Sequence, residues 1–200
     1  MDVDLQKSII KGELLDSHQW HSTNVHEFSM IDIGIRHDYN RYVGFPIITK
    51  EIVDTLVEIL QNKKTLEVGC GTGFLCKKLL DRGIDIIGVD NDPEKYGFKK
   101  RYIKSINKDA VTCIEEKYDT ILMSWPDYAN EFAYSIAKAM YPGQMLIYEG
   151  EDDCGCTADA DFFKIISEEF TQDHLLSNKL NKDLIQFFGI HDYWCVYIKK

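Results

Sequence analysis

No apolar run in this 200-residue chain approaches the roughly 18 residues a membrane span requires. The opening Met1-Asp-Val-Asp also lacks the positive charge that begins a secretory signal. Both absences lead to the expectation of a cytoplasmic protein. Basic residues are outnumbered, 23 Lys plus Arg against 33 acids for a net charge of −10. Sequence-blind binding to duplex nucleic acid requires a basic face that releases counterions, so that class is disfavoured. The one dense group of cations, Lys99, Lys100, Arg101 and Lys104, is expected to form a solvated helix face. Paired cysteines are scarce: six are scattered at 70, 76, 113, 154, 156 and 195. Cys154-Gly-Cys156 has no second pair to complete a zinc set, so reduced thiols and no metal are expected. No internal repeat or low-complexity tract stands out.

What is present is an ordinary globular balance, 44% hydrophobic and 28% charged, in a length that suits one domain. The chain is organised around residues 64–90. Thr65 to Val68 reads as a buried strand, Gly69, Gly71 and Gly73 as a loop, the next stretch as a helix, and Asp85 to Asp90 as a second strand ending in an acid. Glycines two apart let the backbone take φ > 0 and lie against a ligand where a Cβ would collide. A dinucleotide fingerprint needs its third glycine at position 74, where this chain has Phe74, so an NAD-linked enzyme is disfavoured. Glu67, at the end of the first strand, would repel a pyrophosphate but suits a ligand with positive charge and amino or hydroxyl donors. Asp90 is an acceptor placed where a ribose diol would lie. A glycine-rich turn in some other doubly wound protein is the alternative.

Glu67-Val68-Gly69-Cys70-Gly71-Thr72-Gly73, with Asp90 behind it, resembles motif I and the following acidic position of the class I S-adenosylmethionine-dependent methyltransferases. The resemblance implies S-adenosylmethionine as cofactor, held by Glu67, Gly69, Cys70, Gly71, Gly73, Asp90 and Asn91. Gly69 to Gly73 would pass under the methionine half, and Asp90 would hold both ribose hydroxyls. Asp109 with Ala110 would receive the adenine, and Ser124 would also contact the cofactor. The segment from Tyr148 to Phe163, taken with Ser124-Trp125-Pro126, is similar to small uncharacterised methyltransferase-domain proteins, a likeness spanning roughly residues 40 to 200.

Along the chain, residues 1–48 are predicted to be an aromatic-rich N-terminal extension or lid, and 49–200 the methyltransferase domain. A short helix is predicted within positions 2–15, whereas 32–46 shows no clear period. Thr49 is placed as an N-cap. Gly83 is a plausible helix stop, and Asp92-Pro93 is expected to open a helix running to about Arg101. Tyr102 to Ile106 is a predicted third strand, Asp119 to Ser124 a fourth and Gln144 to Glu149 a fifth. Asn130 and Thr157 are expected caps. His174 to Leu180 and Tyr193 to Ile198 are read as two further strands, the last antiparallel by family likeness. The expected fold is α/β, a doubly wound, mostly parallel seven-stranded sheet with an antiparallel C-terminal strand. Ligands of such sheets bind beyond the strands' carboxyl ends, where Gly69, Asp90, Asp109, Ser124 and Glu149 all fall.

Ser124-Trp125-Pro126-Asp127-Tyr128 partly resembles the four-residue motif of amino-group methyltransferases, in which an acceptor residue and an aromatic flank two prolines. If Pro126 and Tyr128 are in register, the first position is Trp125, whose indole donates but cannot accept. Ser124 can accept but lies one residue too far. The expected reaction centre is therefore Ser124, Trp125, Pro126, Tyr128 and Glu149, with Asp127, Glu149, Glu151 and His191 as possible bases. The acceptor is a small molecule or an exposed amine. A non-catalytic cofactor-binding module or partner subunit is the alternative function.

Overall fold

The computed structural model describes residues 3–20, 30–92, 94–153 and 155–200. The first helices are α1 (Val3–Lys11), α2 (Met30–Tyr42) and α3 (Lys50–Leu60). Thr49 caps α3, its Oγ1 accepting from the Ile52 amide at 3.3 Å. Ile52, Val53, Leu56, Ile59 and Leu60 form the buried stripe. α2 occupies a stretch without a clear period because its Ile35 and Tyr39 are buried one turn apart while the residues around them stay partly or fully exposed. His21, His26 and Phe28 of the aromatic-rich extension lie outside the described residues.

The remaining elements are β1 (Thr65–Val68), α4 (Phe74–Leu80), β2 (Ile86–Val89), β3 (Thr120–Ser124), α5 (Phe132–Ala139), β4 (Met145–Gly150), α6 (Ala160–Glu169), β5 (Phe170–Gln172), α7 (His174–Asn181) and β6 (Tyr193–Lys199). They build one sheet in the order β2-β1-β3-β4-β6-β5. β2, β1, β3 and β4 are mutually parallel, and β6 runs antiparallel between β4 and β5. The architecture is the doubly wound, mostly parallel sheet with an antiparallel C-terminal strand that the sequence predicts. Alternate strand residues feed two cores. Leu122 and Ile147 pack with α1 to α4 and α7, while Leu66, Ile121, Met123 and Leu146 pack with α5 and α6.

Among the described residues six strands stand where seven were expected: His174 to Leu180 is helical, the unexpected β5 forms at Phe170–Gln172, and Tyr102 to Ile106 forms only a single bridge, Ile106 beside Val89. Tyr102 is held elsewhere: its amide donates to the Thr72 carbonyl at 2.9 Å and its hydroxyl to the Tyr42 carbonyl at 2.9 Å. The described residues among 91–101 form turns and bends in place of the expected helix, and the Lys99 amide bonds the Arg41 carbonyl at 2.7 Å. Pro93 itself lies outside the described residues. His174 to Leu180 is helical, since Asp173 accepts from the Leu176 amide at 3.0 Å and Ser177 and Leu180 are buried three residues apart. A short apolar run alone does not distinguish helix from strand. α6 is capped by Asp159, which accepts from the Phe162 amide at 2.8 Å. Thr157 is instead buried, its hydroxyl 2.8 Å from that of Tyr148.

The N-terminal segment shares the first core. Leu5, Ile9, Leu15 and Trp20 are buried in it, and Trp20 packs edge-on against Tyr39 and Phe187, with centroids 5.3 and 6.1 Å away. Among the described residues no helix is long and apolar enough to cross a membrane.

Candidate functional site

The glycine loop adopts the backbone its spacing requires. Gly69, Gly71 and Gly73 have φ of 65°, 52° and 72°, the left-handed region that side chains disfavour. A Cβ on Gly69 would meet the Phe132 ring at 3.4 Å, one on Gly71 the Phe98 ring at 3.3 Å, and one on Gly73 would overlap Ile103. Phe74 is buried in the first core, so a core ring occupies the place of the third dinucleotide glycine.

Asp90 locks this loop to the end of β2. Its Oδ2 accepts from the Gly71 amide at 2.8 Å and its Oδ1 from the Asp92 amide at 3.0 Å. Each oxygen keeps one lone-pair site. Glu67 lies deep beside them, and its Oε2 meets no donor among the described residues. Burial pushes its carboxyl up to about 8 and the Asp90 charge acts in the same direction, against the Cys76 thiol and amide. Burial likewise raises the thiols of Cys70 and Cys76.

These residues open onto one pocket whose empty space is about 950 Å³, open solvent included. Glu67, Gly69, Cys70, Gly71, Asp90 and Asn91 line one part, Ser124, Trp125 and Pro126 another, and Val43 to Pro46 a third. The N-terminal segment is fixed there: the Thr72 hydroxyl donates to the Val43 carbonyl. Four rings gather at the pocket. Phe45 lies 15° from parallel to Trp125 with centroids 6.1 Å apart, while Tyr96 and Phe98 stand edge-on to Phe45 at 5.2 and 6.3 Å. Trp125 sits at φ 51°, a conformation rare for a bulky residue and held only where the surroundings enforce it. Here its amide donates to the Glu149 carbonyl at 2.7 Å. Across the opening, Asp127 pairs with Lys95 and accepts from the Tyr96 hydroxyl.

Residues 66–139 match the methyltransferase-domain family. This chain carries its glycine loop, Asp90 and β3 within that stretch. It is 30% identical to the ubiquinone biosynthesis O-methyltransferase of Aliivibrio fischeri over 44% of this chain and 44% of that protein. The match thus spans under half the length of that curated relative. Among solved structures, the fold is similar to magnesium protoporphyrin IX methyltransferase from Synechocystis PCC 6803, determined with S-adenosylhomocysteine bound. Identity there is 15%, over 88% of this chain and 90% of that one, with a TM-score of 0.51. An S-adenosylmethionine-dependent methyltransferase from Clostridium acetobutylicum gives 13% identity over 84% and 98%, again with a TM-score of 0.51.

Asp109 and Ala110 do not line the pocket. Asp109 is exposed and accepts from the Val111 amide at 2.9 Å, starting the 3₁₀ turn Val111–Cys113. Tyr128 is 65% exposed and also outside the pocket lining, because the chain turns sharply at Trp125 and again at Ala129, φ 51°. Glu149 is fully buried and meets the pocket lining at Ser124, whose hydroxyl donates to its Oε2 at 3.0 Å. Of the other bases considered, Glu151 accepts from the amides of Cys156 at 2.6 Å and His191 at 2.8 Å. Phe45 was visible in the sequence only as part of an aromatic-rich stretch, and Tyr96 and Phe98 lay in a predicted helix. Asp192 carried no signal at all, since only the pairing of β6 with β4 brings it to Glu149.

Proposed function

We propose that this protein is a cytoplasmic S-adenosylmethionine-dependent methyltransferase whose acceptor is a small molecule or exposed group bearing N–H or O–H, amines included. The observation that carries the reading is the Asp90 carboxylate bound to the Gly71 amide at 2.8 Å, at the mouth of a loop in which three left-handed glycines replace any Cβ. S-adenosylmethionine supplies an electrophilic methyl group on a sulfonium. The residues present fit such a ligand. Asp90 has acceptor capacity left for a ribose diol, and the donorless Oε2 of Glu67 suits a cationic amino group. Ser124 and Asn91 complete the cradle at the ends of β3 and β2.

The acceptor would approach at Ser124, Trp125 and Pro126. Because the Ser124 proton is committed to Glu149, the hydroxyl oxygen is left to accept from an acceptor's N–H or O–H. That supplies the accepting group which Trp125 cannot. Methyl transfer depends chiefly on alignment, so holding the acceptor here can supply much of the rate. The segment through Val43 and Phe45 serves as a lid, tied down through Thr72 and Tyr102. Five free cysteines among the described residues suit a reducing compartment.

The test is a methyl-transfer assay that reads S-adenosylhomocysteine release against a panel of amines, phenols and carboxylates. Turnover with an amine or phenol, lost in Ser124→Ala, supports the proposal. Cofactor binding without turnover on any acceptor, alone or with cell extract added, would favour a non-catalytic binding module.

A further inference from the structure

Glu149 and Asp192 form a buried acid pair for which the cofactor cradle has no use. Glu149 is 0% exposed and Asp192 3%. They meet because β4 and β6 pair antiparallel, with Gly150 opposite Tyr193 and Glu149 opposite Trp194. Glu149 takes the Ser124 hydroxyl on Oε2, but its Oε1 and the Asp192 Oδ1 meet no N–H or O–H donor among the described residues. The two carboxyl groups act directly on each other, and a hydrogen bond between them requires a proton on one. The other ionisable groups acting on the pair are Glu151, Tyr39 and Tyr148. None of these is a cation.

Two carboxylates cannot share such a site while both are ionised, since burial and like charge each favour the neutral form. A single proton resolves the arrangement. It turns one partner into a donor, gives the other an O–H···O⁻ bond, and leaves the pair with one negative charge. Burial pushes both carboxyls upward, joined for Glu149 by Asp192 and Glu151, and for Asp192 by Glu151 against the lowering effect of Glu149 and Gln186. Gln186 lies against Asp192, its Nε2 donating to the main-chain carbonyl at 2.5 Å, and it favours the charged form of that partner. The only polar side chain linking this monoanion to the pocket among the described contacts is Ser124, which lines it.

We propose that Glu149 and Asp192 share one proton and that this pair, acting through Ser124, accepts the proton given up by the methyl acceptor. The transfer balances. The acceptor's N–H or O–H bond breaks as its proton passes to Ser124 Oγ, the original Ser124 proton passes to Glu149 Oε2, and the shared proton settles on Asp192. Ser124 ends as a neutral hydroxyl, and the pair goes from one negative charge to none. Ser124 touches the acceptor, while Glu149 and Asp192 act behind it. The proposal rests on the methyltransferase reading and names the destination of its proton.

The experiment is infrared spectroscopy of the protonated-carboxyl C=O stretch near neutral pH, on wild type, Glu149→Gln, Glu67→Gln and Ser124→Ala, with and without S-adenosylhomocysteine. Binding of that ligand is measured separately by calorimetry. Wild type should hold two protonated carboxyls, one lost in Glu67→Gln and the other in Glu149→Gln. The Glu149-dependent band should shift when S-adenosylhomocysteine fills the wild-type pocket and stay fixed in Ser124→Ala. Absence of a Glu149-dependent band overturns the shared proton. A band unmoved by ligand that calorimetry finds bound overturns the link through Ser124. Failure of the ligand to bind wild type would count against the methyltransferase reading and therefore against the acceptor-proton role, while the Glu149-dependent band still decides whether the pair shares a proton.

Discussion

The rings of Phe45 and Trp125 lie 15° from parallel with centroids 6.1 Å apart, joining the N-terminal segment to the residue that follows β3. Aromatic pairs contribute about 0.5–1.5 kcal/mol beyond the area they bury. A double-mutant cycle of Phe45→Leu and Trp125→Leu, read by urea unfolding, should give a coupling energy in that range. A coupling near zero would mean that the N-terminal segment does not sit on the pocket in solution.

Gly73 and Gly83 both lie in the left-handed region, at φ 72° and 81°, but their surroundings differ. A Cβ at Gly83 meets nothing within 4 Å, whereas one at Gly73 overlaps Ile103. Gly83→Ala should therefore cost only the backbone penalty, about 1–2 kcal/mol. Gly73→Ala should cost about 1–3 kcal/mol more, because it also overpacks the loop, and should lower cofactor affinity. Equal losses in the two variants would contradict the close packing beneath the loop.

Glu67 gives a stability that depends on pH. Its carboxyl is pushed up to about 8, against about 4.3 for a free Glu. Between those values the folded protein holds a proton that the unfolded chain has released. This contribution is full below the unfolded value and is lost as pH rises through the folded one. Glu67→Gln should remove up to about 1.4 kcal/mol per pH unit from the fall in stability over that window, measured by urea unfolding from about pH 5 to 8. A cationic ligand should draw the proton off, so S-adenosylmethionine should bind more tightly at the alkaline end. An unchanged slope in Glu67→Gln would mean that the carboxylate is ionised in the free protein.

The glycine loop and its acid were legible because their geometry is local. The alternating glycines of Gly69 to Gly73 and the acid at Asp90 are consecutive in sequence with the strands that present them. Elements set by distant contacts were not legible. Tyr102 is drawn to Thr72 and Tyr42, which costs the sheet a strand that β propensity alone suggested. His174 to Leu180 carries too few apolar residues to separate the two periods, and the Asp173 cap decided it. Glu149 was legible as a strand end, but its partner Asp192 depends on antiparallel register across 43 residues of chain.

The account turns on Asp90 holding S-adenosylmethionine, and calorimetric titration of that ligand into wild type and Asp90→Asn tests it most directly. Asn keeps the shape but has one acceptor oxygen where Asp90 uses two, for the Gly71 and Asp92 amides. It also removes the charge that strengthens hydrogen bonds to the ribose hydroxyls. Hydrogen bonds to charged groups contribute about 1.5–3 kcal/mol, so affinity should fall roughly ten- to a hundredfold with the fold intact by circular dichroism. Equal binding by the two proteins, or none by folded wild type, would contradict it.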